Sequence, residues 1–332
     1  MKPSLSPLLL ILSLTLALSA CTPQRPSEPP AELIEIRMPV GYIPNVQFAP
    51  LYVAMEKGYF RDAGIELTLD YSFETDAVAL VGANTLQFAV VSGEQVPLGR
   101  AQGLPIVYVT AWYQKYPVGI TVLADSGITR PEDLSGKRIG TPVLFGASYV
   151  GLRALLDAAG LREADVTLDT IGYNQVEALI AKTEDAAVTY IANEPVQLAA
   201  RGYDAFTIST ADYIELVSNG LITNETTLKE NPELVRKMVA ALLHGMQDAL
   251  NNPDEAFEIS TKYVENLDQQ ADIQKQVMLA SMELWKAERL GYSDPQAWQN
   301  MQDLLLKIGF LQAPLDDLDA AYSNDYLPEA SR

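Results

Sequence analysis

Short apolar runs alternate with helical segments from Leu33 to about Ser209. The strand candidates include "LIEIRMPV", "IELTLDY", "QFAVV", "PIVYVTAW" and "AAVTYI", and helical patterns such as "YVGLRALLDAAG" lie between them. After about Thr226 the pattern is almost entirely helical. Because alternating strands and helices favour parallel strands joined by right-handed crossovers, the pattern predicts an α/β fold.

The strand-like runs are interrupted twice. Polar and proline residues break the pattern at 112–119, "WYQKYPVG", and a second break lies at 212–220, "DYIELVSNG". If the chain crosses between two sheets at both breaks, residues 33–114 and 220–332 form one lobe and 115–219 form the other. The expected architecture is two mixed sheets flanked by helices, with a central ligand cleft where the carboxyl ends of the strands converge.

The N-terminal segment differs in character from the rest of the chain. Lys2 precedes the apolar run "LLLILSLTLAL", which is too short and too early for a membrane-spanning helix. The run ends in "LSAC", which resembles a bacterial lipobox, so we expect residues 1–20 to be a signal peptide and Cys21 to be acylated. Residues 22–32 are Pro-rich and polar, which suits a spacer between lipid and domain. The alternative is an ordinary signal peptide with an unmodified cysteine.

Charge and composition exclude several classes of function. The chain has 23 basic and 43 acidic residues and a formal net charge of -20, so it lacks the basic surface that nucleic-acid binding requires. Its single cysteine, Cys21, and single histidine, His244, form no cluster of metal ligands, and no acidic spacing matches a calcium loop. We therefore expect no metal, no cofactor and no nucleic-acid partner. A monomer is expected.

Four stretches follow one another in an order typical of a known family: "APLYVAMEKGYF", "ALVGANTLQFAVVSGEQV", "GITRPEDLSGKRIGT" and "AAVTYIANEP". Over residues 34–310 the chain resembles the periplasmic-binding-protein-like proteins of ABC importers, in the branch of thiamine-pyrimidine, alkanesulfonate and riboflavin binding proteins. The resemblance implies a type II fold with the ligand trapped at the hinge between two lobes. It also implies membrane permease subunits as partners. Together with the lipobox-like "LSAC", it predicts a location on the extracytoplasmic face of the cell membrane, held there by a lipid anchor.

The same branch contains an enzyme-like member, the yeast pyrimidine synthase for thiamine. That synthase has a histidine in the first loop, a lysine before the strand "QFAVV" and a cysteine run in the late crossing. Here Phe48 and Thr85 stand at the first two places, and the crossing "IELVSNGL" has no cysteine. Without these nucleophiles and bases, the sequence predicts a binding protein rather than an enzyme.

Loops at the carboxyl ends of the strands hold the candidate ligand-binding residues, because such loops expose backbone groups and helix N-termini. Each candidate also has a plain structural interpretation, as a turn residue, a buried aromatic or a first-turn acid. The predicted ligand-binding residues are Tyr42, Asn45, Phe48, Ser92, Gly93, Glu94, Tyr113, Ser148, Tyr173, Tyr190, Asn193 and Glu194.

These loops are rich in aromatic, amide, hydroxyl and carboxyl side chains and contain no Arg or Lys. An anion would favour basic residues, whereas aromatic faces and amides suit an uncharged planar heterocycle. Riboflavin is the first choice, mainly on the resemblance to riboflavin-binding lipoproteins of this branch. A hydroxymethylpyrimidine is the close alternative, and an alkanesulfonate is disfavoured by the missing basic residues.

Overall fold

The computed structural model describes residues 33–329, so the predicted signal peptide and Cys21 lie outside the described residues. The described strands are β1 Ile34–Gly41, β2 Ile65–Ser72, β3 Ala89–Val91, β4 Ile106–Ala111, β5 Val118–Leu123, β6 Arg138–Thr141, β7 Thr167–Thr170, β8 Ala186–Tyr190, β9 Ala205–Ser209 and β10 Gly220–Asn224. The helices of the first sheet's crossovers are α1 Ala49–Glu56, α2 Tyr59–Asp62, α3 Glu74–Gly82 and α4 Gln95–Ala101. Those between β6 and β9 are α5 Gly146–Ala158, α6 Gln175–Ile180 and α7 Glu194–Ala200. The chain ends with α8 Glu225–Glu230, α9 Pro232–Asn251, α10 Pro253–Ser260, α11 Ala271–Trp285 and α12 Pro295–Lys307.

Two five-stranded sheets organise the fold. The first has the order β2-β1-β3-β10-β4, and the second has the order β7-β6-β8-β5-β9. In the first sheet β1 is parallel to β2 and β3, whereas β10 is antiparallel to both β3 and β4. In the second sheet β6 is parallel to β7 and β8, whereas β5 is antiparallel to β8 and β9. The predicted architecture of two mixed sheets flanked by helices is confirmed.

The chain passes between the sheets twice. It leaves the first sheet after β4 in the segment 112–117 and returns before β10 in the segment 210–219. The first strand after each passage, β5 or β10, begins at the edge of its sheet where the neighbouring strands end. These two strands are therefore antiparallel to their neighbours. Trp112 N and Tyr113 N in the first segment donate to the Asn219 carbonyl oxygen in the second, at 2.9 and 3.4 Å. The two crossing segments are thus hydrogen-bonded to each other.

The C-terminal helices cover the first sheet. Helix α9 buries Leu234, Met238 and Leu242 on one side and packs closely against α1. The approach is close because of Gly245, where a Cβ atom would lie 2.3 Å from the Pro50 carbonyl oxygen. Among residues 33–329, every helix is too short or too polar to cross a membrane.

Candidate ligand-binding site

A cavity of about 140 Å³ lies where loops from the two sheets meet. The first sheet contributes the loops after β1 and β2, and the second contributes residues at the ends of β6, β7 and β8. The crossing segments complete the wall with Trp112, Tyr113 and Asn219. The cavity therefore occupies the position, at the carboxyl ends of strands, in which open α/β sheets bind ligands.

The loop after β1 brings Tyr42, Gln47 and Phe48 to the cavity. Tyr42 has a φ angle of 93°, a backbone conformation that costs a non-glycine residue about 1–2 kcal/mol. Asn45 does not line the cavity, because its Oδ1 accepts a hydrogen bond from the Gln47 backbone N at 3.0 Å and caps the following turn. The Gln47 Nε2 donates to the Tyr113 hydroxyl at 3.1 Å, which ties this loop to the first crossing segment.

A cluster of two carboxyl groups and one hydroxyl lies beneath the first-sheet side of the cavity. Ser92 Oγ is hydrogen-bonded to Glu74 Oε2 and lies 2.6 Å from Glu94 Oε1. Glu74 lines the cavity, whereas Ser92 and Glu94 are fully buried behind it. Gly93 packs against the second crossing segment, since a Cβ there would lie 2.5 Å from the Val217 carbonyl oxygen. Three predicted residues therefore support the wall instead of forming it.

Burial governs the protonation of this cluster. Removal from water and, to a smaller extent, the nearby carboxyl of Glu74 together raise the pKa of Glu94 to about 7. Burial also raises the pKa of Glu74, against the effect of hydrogen bonds from the Ser92 hydroxyl and backbone N–H. Glu94 Oε2 is buried and has no hydrogen-bond partner. The pair therefore holds protons more tightly than exposed carboxyl groups do.

Glu194 is the carboxyl group of the second sheet's side. Its Oε2 accepts from the Tyr190 backbone N at 2.9 Å, and its Oε1 accepts from Asn193 Nδ2 at 3.0 Å. Burial raises the pKa of Glu194 to about 7. The Tyr190 hydroxyl donates to Asn219 Oδ1 at 3.2 Å, so the end of β8 is joined to the second crossing segment. These bonds fix the orientation of four polar side chains that line the cavity.

Two aromatic pairs join the loops of the two sheets at the cavity. Tyr42 and Tyr173 meet edge to face with their ring centroids 4.9 Å apart. Phe73 and Phe145 meet in the same way with centroids 6.5 Å apart. Phe73 is 64% exposed and Phe145 is 42% exposed, so this second pair lies at the rim. Such pairs contribute about 0.5–1.5 kcal/mol beyond area burial, and here they hold the two sides together.

Most of the residues predicted from sequence come together in the structure. The eight that line the cavity are Tyr42, Phe48, Tyr113, Ser148, Tyr173, Tyr190, Asn193 and Glu194. The four that do not line it are Asn45, Ser92, Gly93 and Glu94, for the reasons given above. Ser148 lies inside the first turn of α5, since that helix begins at Gly146. Whether the eight residues bind ligand stays a prediction.

Several lining residues did not follow from the sequence. They are Gln47, Phe73, Glu74, Phe145, Gln175 and Asn219. The signal for Glu74 was present, because "FE" directly follows β2, and β2 pairs in parallel with β1 up to Gly41 and Ser72. Loops that follow neighbouring parallel strands lie at the same edge of a sheet. The register between the strands, which places Glu74 beside the loop of Tyr42, requires the structure.

The wall of the cavity is aromatic and acidic. Of the described residues that line it, none is a lysine or an arginine. Residues 33–329 contain no group of three side chains able to hold a metal ion. The arrangement accepts hydrogen bonds through two carboxyl groups and offers aromatic faces, which is the chemistry that an uncharged, donor-bearing ring system requires.

The chain belongs to the family described as NMT1/THI5 like, whose model matches residues 45–256. The solved structure of the periplasmic aliphatic sulphonate binding protein SsuA from Escherichia coli has the same fold. Its TM-score is 0.72, with 12% sequence identity, over 88% of this chain and 99% of that chain. The predicted two-lobed, periplasmic-binding-protein-like fold is confirmed.

Two relatives are similar along most of their length. The chain is 38% identical to the riboflavin-binding protein RibY of Chloroflexus aurantiacus, over 97% of this chain and 97% of the relative. It is 30% identical to the formylaminopyrimidine-binding protein of Halalkalibacterium halodurans, over 75% of this chain and 77% of the relative. The predicted membership of this branch of binding proteins is confirmed.

The stability of the folded protein is expected to fall as the pH rises from about 5 to about 7.5. Glu94 and Glu194 have pKa values of about 7 in the folded state, against about 4.3 in an unfolded chain. Between these values the folded state binds more protons than the unfolded state, so a rise in pH favours unfolding. Thermal unfolding across this range measures the effect, and the variant Glu194→Gln is expected to show a weaker dependence. A midpoint that rises with pH would contradict the assignment.

Proposed function

We propose that this protein is the extracytoplasmic solute-binding protein of an ABC importer and that its ligand is riboflavin. The observation that carries the proposal is the cavity between the two sheets, lined by aromatic rings, amides and carboxyl groups and by no basic side chain among the described residues. The similarity to the riboflavin-binding protein of Chloroflexus aurantiacus over 97% of the chain supports the choice of ligand. The partners are the permease subunits that accept the ligand at the membrane, and the binding protein acts as a monomer.

Each part of riboflavin has a counterpart in the wall. Its tricyclic ring suits the faces of Tyr42 and Phe48, and rings stacked in this way contribute beyond the area that they bury. The imide N–H and the ribityl hydroxyls are hydrogen-bond donors, for which Glu74 and Glu194 are acceptors. The ligand is uncharged, so binding brings no further charge into the cavity.

A pyrimidine is the second candidate, and the size of the cavity favours it. The cavity of about 140 Å³ is smaller than typical small-molecule sites of roughly 300–1,000 Å³. A single substituted pyrimidine ring fits a small enclosed volume, whereas riboflavin has to extend through the open mouth. The similarity to the formylaminopyrimidine-binding protein, at 30% identity, points in the same direction. A sulfonate is disfavoured by the lack of basic side chains in the wall.

We also propose that the protein has no enzymatic activity. A relative from Legionella pneumophila that is named 4-amino-5-hydroxymethyl-2-methylpyrimidine phosphate synthase is 26% identical over 66% of this chain. Phe48 lines the cavity where the resemblance places the synthase histidine. His244, the single histidine, stacks on the ring of Tyr59 with centroids 4.1 Å apart and does not line the cavity. The wall therefore offers no imidazole to a reaction.

Titration of the mature chain with riboflavin and with hydroxymethylpyrimidine tests the proposal. Flavin fluorescence and calorimetry should show saturable riboflavin binding with a dissociation constant below about 1 µM, that is, at least about 8 kcal/mol. Quenching is the expected sign of stacking on the aromatic wall. Tight binding of the pyrimidine together with no heat from riboflavin would replace the first candidate by the second.

Removing the ring of Phe73 is expected to speed riboflavin release by about fivefold to tenfold and to leave association nearly unchanged. In Phe73→Ala the rim contact with Phe145 is lost, so the loops of the two sheets separate more readily at the mouth of the cavity. Stopped-flow fluorescence measures both rates. Phe206→Ala is the matched control, because Phe206 is 43% exposed and lies on β9, outside the cavity wall. Equal release rates in the two variants would contradict a role for the rim pair.

A lipid anchor at Cys21 is part of the proposal. Cys21 is the only cysteine of the chain and directly follows Leu18, Ser19 and Ala20. Cys21→Ser is expected to release the protein from the membrane fraction, because no other attachment is proposed for it. Fractionation of cells with an antibody against the mature domain measures the distribution. Membrane retention equal to that of the unaltered protein would contradict the anchor.

A further inference from the structure

Ser92 contacts two glutamates, and this arrangement limits which of their carboxyl groups can be ionised. A hydroxyl group has one proton, yet Ser92 Oγ lies within hydrogen-bond distance of Glu74 Oε2 and of Glu94 Oε1. If Ser92 donates to one carboxyl group, the other contact is favourable only when that second carboxyl group carries a proton and donates to Ser92. The cluster therefore contains at least one neutral acid, and only the carboxyl group that accepts from Ser92 can carry a charge.

The surroundings assign the two forms. Glu94 is fully buried and one of its oxygens has no partner, so the neutral form suits it. Glu74 is half-buried, faces the cavity and is hydrogen-bonded to the Ser92 hydroxyl, so although burial raises its pKa, it is the acid of the pair that is better placed to carry the charge. The titratable groups facing the pair are Tyr116, Tyr173 and Tyr190, which are neutral at physiological pH. Among the described lining residues no lysine or arginine offsets the charge.

The backbone leaves room for this carboxylate. Gly41 ends β1, and a Cβ atom at Gly41 would lie 2.5 Å from Glu74 Cγ and 2.6 Å from Glu74 Oε1. Any other residue at this position would displace the Glu74 side chain. The glycine, the hydrogen bond from the Ser92 hydroxyl and the neutral Glu94 together favour a negative charge at the cavity wall.

We propose that Glu74 is a specificity-determining residue, which selects an uncharged ligand over the phosphomonoester of the same ligand. The inference rests on the proposed function. The carboxylate accepts a hydrogen bond from an N–H or O–H of the uncharged ligand. A phosphate group in the same enclosed space meets an uncompensated negative charge, and like charges in a partly buried site repel strongly.

The test compares riboflavin with riboflavin 5′-phosphate on the mature chain by fluorescence titration. The unaltered protein should bind riboflavin at least about tenfold more tightly than its phosphate, and Glu74→Gln should reduce this ratio by about tenfold. Asp76→Asn is the matched control. It removes the same charge from the first turn of the same helix, but Asp76 is exposed and does not line the cavity. The control should keep the ratio of the unaltered protein.

Two results would overturn the inference. One is equal affinity of the unaltered protein for riboflavin and its phosphate, and the other is an unchanged ratio in Glu74→Gln. The failure of riboflavin as the ligand is a separate result, because hydroxymethylpyrimidine and its monophosphate then provide the same comparison. If Glu74→Gln reduces the ratio of the affinities for hydroxymethylpyrimidine and its monophosphate, the role of Glu74 is supported. An unchanged ratio rejects it.

Discussion

Tyr42→Gly is expected to weaken riboflavin binding by about 30-fold while changing the free energy of unfolding by less than about 1 kcal/mol. The Tyr42 ring lines the cavity and meets Tyr173, so its removal costs a stacking face and a contact between the two sides. The backbone gains from the change, because glycine adopts the φ angle of 93° without strain. That gain offsets the larger entropy of the unfolded glycine variant and the lost packing.

The measurement pairs calorimetry with chemical denaturation. Lys182→Gly is the control, because Lys182 also has a positive φ angle, of 52°, but does not line the cavity. It should change stability by a similar small amount and leave riboflavin affinity unaltered. A large loss of stability in Tyr42→Gly, or unchanged affinity, would show that the conformation of Tyr42 serves folding rather than binding. If affinity falls and stability is unchanged, the backbone strain at Tyr42 is a cost of presenting an aromatic face to the ligand.

Gly245→Val is expected to destabilise the fold by about 3 kcal/mol. A Cβ atom at Gly245 would lie 2.3 Å from the Pro50 carbonyl oxygen and 2.6 Å from Ala54 Cβ, and backbone atoms cannot move aside cheaply. Helix α1 would have to shift away from α9. Because α1 directly follows the loop of Phe48, ligand affinity should also fall.

Urea unfolding measures the change in stability. Ala240→Val places the same side chain at an exposed position of α9 and should cost only about 0.5 kcal/mol, the difference in helix propensity. A similar small cost for Gly245→Val would mean that the two helices separate without penalty. The difference between the stability losses of the two variants gives the cost of separating α1 from α9, because both contain the unfavourable helix propensity of valine.

The sequence predicted the fold well because the pattern of apolar and polar residues depends on local secondary structure. Strands such as "IELTLDY" and helices such as "YVGLRALLDAAG" are recognisable from residues that are close along the chain. The breaks near "WYQKYPVG" and "DYIELVSNG" also lie in the segments between the two sheets. The resemblance to a known family added the two-lobed arrangement, which no local pattern contains.

The site was predicted less completely because side-chain direction depends on distant contacts. Asn45 and Ser92 stand in the expected loops, but one caps a turn and the other is buried between two carboxyl groups. Glu74 becomes part of the wall only because Gly41, on the neighbouring strand, leaves space for it. The pairing of Phe73 with Phe145 depends on how the two sheets approach each other. None of these relations is a property of a short stretch of sequence.

The path of the chain has a consequence for how such a site changes during evolution. The segment that forms the second sheet leaves after β4 and returns at β10, and these strands are neighbours, with Ala111 opposite Gly220. Its own first and last strands are also neighbours, with Gly119 opposite Ser209. A contiguous block whose two ends meet can be exchanged by recombination without redirecting the chain on either side. One such exchange would replace Phe145, Tyr173, Tyr190 and Glu194 together, and with them half of the cavity wall, while the first sheet stayed the same.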